Sequence, residues 1–136
     1  MKRPFLLGYQ LLAGVSDTST GALLIAAPIE TLGLMGLQVP ADSAPFLSFI
    51  GAFVLAVGLS YLYGGLLVSR PGSSSRLEAV WLLTAIIRSS VAVFVFTQVL
   101  AGTLQPGWLI IAGFDGACAF FQAIGLRKGW LLNVVR

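Results

Sequence analysis

Four long, continuous apolar runs decide what this chain can fold into. They cover about residues 4–27, 46–68, 77–101 and 107–126. Each holds roughly 20 to 25 residues, and a helix needs about 20 to cross a hydrocarbon core of about 30 Å. The six prolines are Pro4, Pro28, Pro40, Pro45, Pro71 and Pro106, and they fall at the ends of these runs or between them. Proline is tolerated in the first turn of a helix and stops helices elsewhere. The runs do not alternate apolar with polar, so they do not read as strands of a membrane β-barrel. The expected fold is all-α, an integral membrane four-helix bundle forming a single transmembrane domain over residues 1–136.

Composition closes the other routes. Only 10% of residues are charged, 57% are hydrophobic, and the mean hydropathy is +0.95. A soluble domain carries about a quarter charged residues. Disorder, collagen, coiled coil and a disulfide scaffold do not fit such a composition. The chain has no His and one Cys, which argues against structural zinc, His-ligated haem and dithiol exchange. The start, Met1-Lys2-Arg3, suits the basic region of a signal peptide. The polar stretch at residues 16–20 then interrupts the apolar run, so a retained helix is expected.

Basic residues set the expected orientation. Lys2 and Arg3 precede the first run, Arg70 and Arg76 separate the second from the third, and Arg127, Lys128 and Arg136 follow the fourth. Seven of the eight basic residues thus fall on one side of a four-span chain. Both termini are expected to be cytoplasmic, in a bacterial inner membrane. The net charge of +3 follows from this topology and does not indicate nucleic acid. The stretch at residues 69–76 reads as a flexible cytoplasmic linker. Residues 29–39 are apolar for a loop and are expected to lie in the interface or to dock.

Three ionisable residues lie deep within runs: Asp17, Arg88 and Asp115. At about 1.5 Å per helical residue, each sits roughly 17–20 Å from the cytoplasmic end of its run. An unpaired charge at that depth costs about 2.5–3.5 kcal/mol on insertion scales. The economical expectation is one buried cluster, with Arg88 serving both carboxylates through its planar fork. The neighbours extend polar or small stripes at helical spacing: Gln10, Gly14, Asp17 and Gly21; Trp81, Thr84, Arg88 and Ala92; Ala112, Asp115, Ala119 and Gln122. Such a cluster either fixes helix register alone or also binds or moves something. Gln10, Gln122, Tyr61 and Tyr63 form a candidate polar vestibule, or else the tyrosines are interface residues. Gly51, Gly58 and Gly65 recur every seven residues and suggest a helix-packing seam. Trp108, Trp130 and Trp81 read as interface anchors, and Cys118 as a small packing residue.

There is no phosphate-binding glycine loop, nucleophile elbow or metal-binding motif. No catalytic residue, metal site or cofactor is indicated, and an enzyme is not favoured.

The residues 51–59, Thr84-Ala-Ile-Ile-Arg88 and Gly113-Phe-Asp-Gly116, in a short chain with a basic start, resemble the DoxX-like small bacterial membrane proteins. The resemblance implies a four-helix bundle and a link to respiratory or redox membrane complexes. It implies no catalytic residues. The expected function is a non-enzymatic binding or accessory subunit, docked on other membrane subunits or holding a lipid-like or quinone-like molecule. The alternative is a small homo-oligomeric proton-coupled transporter using Asp17, Arg88 and Asp115.

Overall fold

The computed structural model describes residues 2–132. Arg136, one of the basic residues in the orientation argument, lies outside them. The elements run α1 (Arg3–Ala26), α2 (Pro28–Leu34), α3 (Ala44–Val68), α4 (Ser74–Leu100) and α5 (Leu109–Arg127), with single 3-10 turns at Ala41–Ser43 and Pro106–Trp108. No strand occurs among the described residues. Three stretches are long and apolar enough to cross a membrane: Ala41–Val68, Ser74–Leu100 and Pro106–Arg127. At 24 residues α1 has the length to cross as well. Gln10 and the polar stretch at residues 16–20 lower its hydropathy, so the three apolar spans do not include it.

The chain divides into two compact units, Pro4–Leu66 and the remainder. In the first, α1 buries Leu6, Gln10, Ala13, Gly14, Asp17, Gly21 and Leu24. These spacings of three and four keep one stripe on one face. Glycines let α1 and α3 meet backbone to backbone. A Cβ on Gly21 would run into the Leu55 backbone nitrogen, and one on Gly58 into that of Thr18. A Cβ on Gly51 would lie 2.8 Å from the Leu24 Cβ and 2.9 Å from the Ile25 nitrogen. Gly65 is different, since the nearest atom to its Cβ position is Leu11 Cδ2 at an ordinary 3.6 Å. Its neighbour Gly64 makes the close approach instead, against the Gln10 amide. The Ser48 hydroxyl donates to the Ile25 carbonyl at 3.2 Å across the same pair.

The apolar stretch at residues 29–39 is not a plain loop. Pro28 opens α2, and the Thr31 hydroxyl donates to the Ala27 carbonyl at 2.6 Å. Gly36 then turns the chain at φ +76°, a value only glycine adopts freely. Leu32 and Leu37 are buried while Leu34 is exposed. Part of the apolar content therefore packs inward.

The second unit contains α4, α5 and the turn before α4. Residues 69–76 are not a flexible linker. The Ser73 hydroxyl is buried within 2.6 Å of both the Leu67 and Arg70 carbonyls, Arg3 Nε donates to the Val68 carbonyl at 3.1 Å, and α4 has begun by Ser74. The last carbonyls of a helix need partners, and here side chains supply them. Trp81 is fully buried, against Phe121 at 5.8 Å between ring centroids, and thus is not an interface anchor. Gly125 makes room for it: a Cβ there would lie 2.5 Å from the Trp81 ring.

Candidate functional site

The polar side chains of the second unit lie along one antiparallel seam. α4 presents Trp81, Thr84 and Arg88 at successive turns of one face, all buried. α5 runs the other way and presents Gly125, Gln122 and Asp115 to them. Close to Trp81, Gln122 Nε2 donates to Thr84 Oγ1 at 2.7 Å, and the Thr84 hydroxyl donates to the Val80 carbonyl at 2.7 Å. Farther along, Arg88 Nη1 donates to Asp115 Oδ1 in an ion pair. The Arg88 guanidinium carbon also stands 5.1 Å from the Phe114 ring centroid, within cation–π range.

Two features of this seam go beyond packing. Arg88 and Asp115 are unequally covered, at 4% and 13% side-chain exposure. Asp115 uses one oxygen for Arg88, and its Oδ2 accepts no hydrogen bond among the described residues. An ionised carboxylate can accept about four. In addition, Gln122 Oε1 is buried without a hydrogen-bond partner.

An apolar groove of about 380 Å³ opens on the same helix pair, lined by Ala92, Val93, Phe96, Leu109, Ala112 and Gly113. Small side chains make it: a Cβ on Gly113 would meet nothing within 4 Å. The ion pair lies about one helical turn along from it: Ala92 is four residues after Arg88 and Ala112 three residues before Asp115.

The remaining sequence-derived candidates lie in the first unit. Asp17 is buried on α1, its backbone beside Gly58 of α3. Gln10 and Tyr61 are completely buried. Neither Gln10 amide atom has a hydrogen-bond partner. The Tyr61 and Tyr9 hydroxyls are 3.4 Å apart, within hydrogen-bonding reach. Tyr63 is 44% exposed. Two residues along a helix point to opposite sides, so Tyr61 and Tyr63 do not share a face. Of the groove residues, Ala92 and Ala112 stand on the stripes read from the sequence, whereas Val93, Phe96, Leu109 and the place of Phe114 beside Arg88 are not legible there. An apolar side chain beside a buried Asp carries no signal of its own, and a groove depends on which small residues meet across two helices.

No protein-family profile, curated protein or solved structure matches the chain.

Proposed function

We propose that this is a four-span bacterial inner-membrane protein that binds a lipid-like molecule and serves as an accessory subunit in its membrane. The observation that carries the reading is the open apolar groove on α4 and α5, about one helical turn from the Arg88–Asp115 pair. Ligand clefts are typically apolar with a few convergent polar groups, and span about 300–1,000 Å³. In this reading α1 crosses as a fourth span of a four-helix bundle, its polar stripe turned from lipid, and both termini are cytoplasmic. The resemblance to DoxX-like proteins agrees with this and adds the expectation of a respiratory or redox neighbour. Gentle purification from the native membrane is the test. Co-purification of a partner subunit or an extractable lipid-like molecule is expected. A lone protomer with neither would overturn the reading.

A second reading, proton-coupled transport by a homo-oligomer, is favoured by the burial of Asp17 and by the partly open carboxylate of Asp115. Asp17 and Asp115 would carry the proton, and Arg88 would set their charge. Proteoliposomes provide the check. No pH-dependent uptake of small cations would exclude it.

A further inference from the structure

We propose that the basic end of the second unit is a docking surface for anionic phospholipid headgroups, where Arg3, Arg70, Arg76, Arg127 and Lys128 meet lipid phosphodiesters at the edge of the bilayer. The inference goes beyond the groove on α4 and α5 and does not depend on it.

The fold of this unit gathers its basic residues at one end. Thr84 faces Gln122, and Trp81 faces Gly125, across the antiparallel pair. Arg76 lies five residues before Trp81, while Arg127 and Lys128 lie two and three residues after Gly125. The start of α4 and the end of α5 therefore coincide. The turn before α4 brings the others. Ser73 donates to the Arg70 carbonyl, and Arg3 Nε donates to the Val68 carbonyl, which leaves both Arg3 Nη groups unengaged. Lys2 adjoins Arg3. Beyond α5, Gly129 turns the chain at φ +62° and Leu131 is fully buried. The segment folds back there and leaves Arg127 and Lys128 exposed.

Two observations point to an anionic partner. The first is unbalanced charge. Lys2, Arg3, Arg70, Arg76, Arg127 and Lys128 are all exposed, and none is ion-paired among the described residues. The acids of this unit are Glu78 and Asp115, and Asp115 already pairs with Arg88. The second is the position of Arg76. A helix dipole favours cations at the C-terminus and opposes them at the N-terminus. That accounts for Arg127 and Lys128 at the end of α5. Arg76 stands in the first turn of α4, which carries no acid, so the helix itself gains nothing from it.

Depth selects the source of the anion. Arg70 is two residues past the span ending at Val68, Arg76 is two residues into the span from Ser74, and Arg127 closes the span from Pro106. Each lies within one helical turn of a span end, the level of lipid phosphates. A soluble acidic protein must penetrate that layer, whereas lipids already occupy it. Clustered Lys and Arg beside a span bind anionic leaflets, each charge contributing about fivefold in affinity. Positive charge at span ends also orients a chain during insertion, but orientation requires no lipid preference afterwards.

The experiment uses the full chain in phosphatidylcholine nanodiscs, which leave both faces accessible. Each sample holds a trace of phosphatidylglycerol or phosphatidylcholine with a diazirine near the head end of one tail. Crosslinked peptides are quantified by mass spectrometry. At about 0.1 M salt the phosphatidylglycerol probe should label residues 67–81 and 121–128 at least about tenfold more than the phosphatidylcholine probe. At about 1 M salt, where screening acts within about 3 Å, the excess should collapse. Arg76→Gln should lower it about fivefold, and an unchanged excess would overturn the assignment of that residue. Equal labelling by the two probes would overturn the proposal and leave the cations as orientation signals. An excess that survives high salt, or one confined to the opposite end, would overturn it as well. Displacement by soluble glycerol phosphate as effective as that by unlabelled phosphatidylglycerol would overturn the lipid as the source. Labelling in the α4–α5 groove bears on the earlier reading alone, so the two fail separately. The comparison of probes on the unaltered chain needs no variant and stands even if Arg76→Gln does not fold.

Discussion

Arg88 and Asp115 show what a single pair does inside an apolar helix pair. The pair need not add much net stability, because desolvating both charges offsets most of their attraction. Breaking it is different. Arg88→Leu removes the cation that Asp115 uses and should destabilise the protein by about 3–5 kcal/mol. Arg88→Leu combined with Asp115→Asn should recover part of that loss, since no unpaired acid remains at the site. Reversible unfolding in detergent micelles measures both, and full stability of Arg88→Leu would show that the ion pair holds nothing. Glycines give a second residue-scale contrast. Gly58→Leu must push the Thr18 backbone away, and overpacking typically costs about 1–3 kcal/mol or more where backbone must move. Gly65→Leu has flexible side chains around it and should cost clearly less. Equal costs for the two glycines would contradict the close approach at Gly58.

At the scale of elements, the apolar runs and prolines made the long helices readable. Hydrophobic length and proline position are local properties, and α3, α4 and α5 follow from them to within a few residues at either end. The buried stripe of α1 was also readable, because Gln10, Asp17 and Gly21 repeat at three- and four-residue spacing. What composition could not reveal was the work done by short polar segments. The serines of residues 73–75 look like linker composition, yet Ser73 turns its hydroxyl onto the carbonyl of Leu67 in the last turn of α3 and that of Arg70 just beyond it. Trp81 resembled an interface anchor because tryptophan often is one, and only the space left by Gly125 allows it to be buried. The pairing of Arg88 with Asp115 was legible from charge and depth, while the groove about one turn away needed the contact between two helices. Ser73→Ala gives the element-scale prediction. It removes a buried hydroxyl and leaves the Leu67 and Arg70 carbonyls without that donor, so stability should fall by about 1 kcal/mol. Ser75→Ala, at an exposed position in the first turn of α4, should change stability by less than about 0.5 kcal/mol. Equal effects in the same unfolding assay would mean that the Ser73 hydroxyl does not secure the turn.

For the whole molecule, the distribution of basic residues makes the strongest prediction. Arg70 and Arg76 bracket the turn between α3 and α4, and Arg127 and Lys128 follow α5, while the segments joining α2 to α3 and α4 to α5 contain no Lys or Arg. Positive residues near span ends are retained on the cytoplasmic side. With α1 crossing as a fourth span, the N-terminus, the α3–α4 turn and the end of α5 share that side. Asp42 then faces outward. The single cysteine, Cys118, is buried and can be replaced by alanine to give a background for site-specific labelling. In that background, Ser75→Cys should react with a membrane-impermeant maleimide only after cells are permeabilised. Asp42→Cys should react in cells whose inner membrane is intact and accessible. The reverse pattern would invert the topology. Labelling of both positions from outside would mean that α3 does not cross the membrane. A cysteine at Lys2 then decides the role of α1, since the number of crossings between residue 2 and residue 42 determines whether they label from the same side. Reaction only after permeabilisation at residue 2, together with outside reaction at residue 42, requires α1 to cross despite its polar centre. Outside reaction at both would leave α1 on the surface and reduce the spans to the three whose hydropathy already suffices.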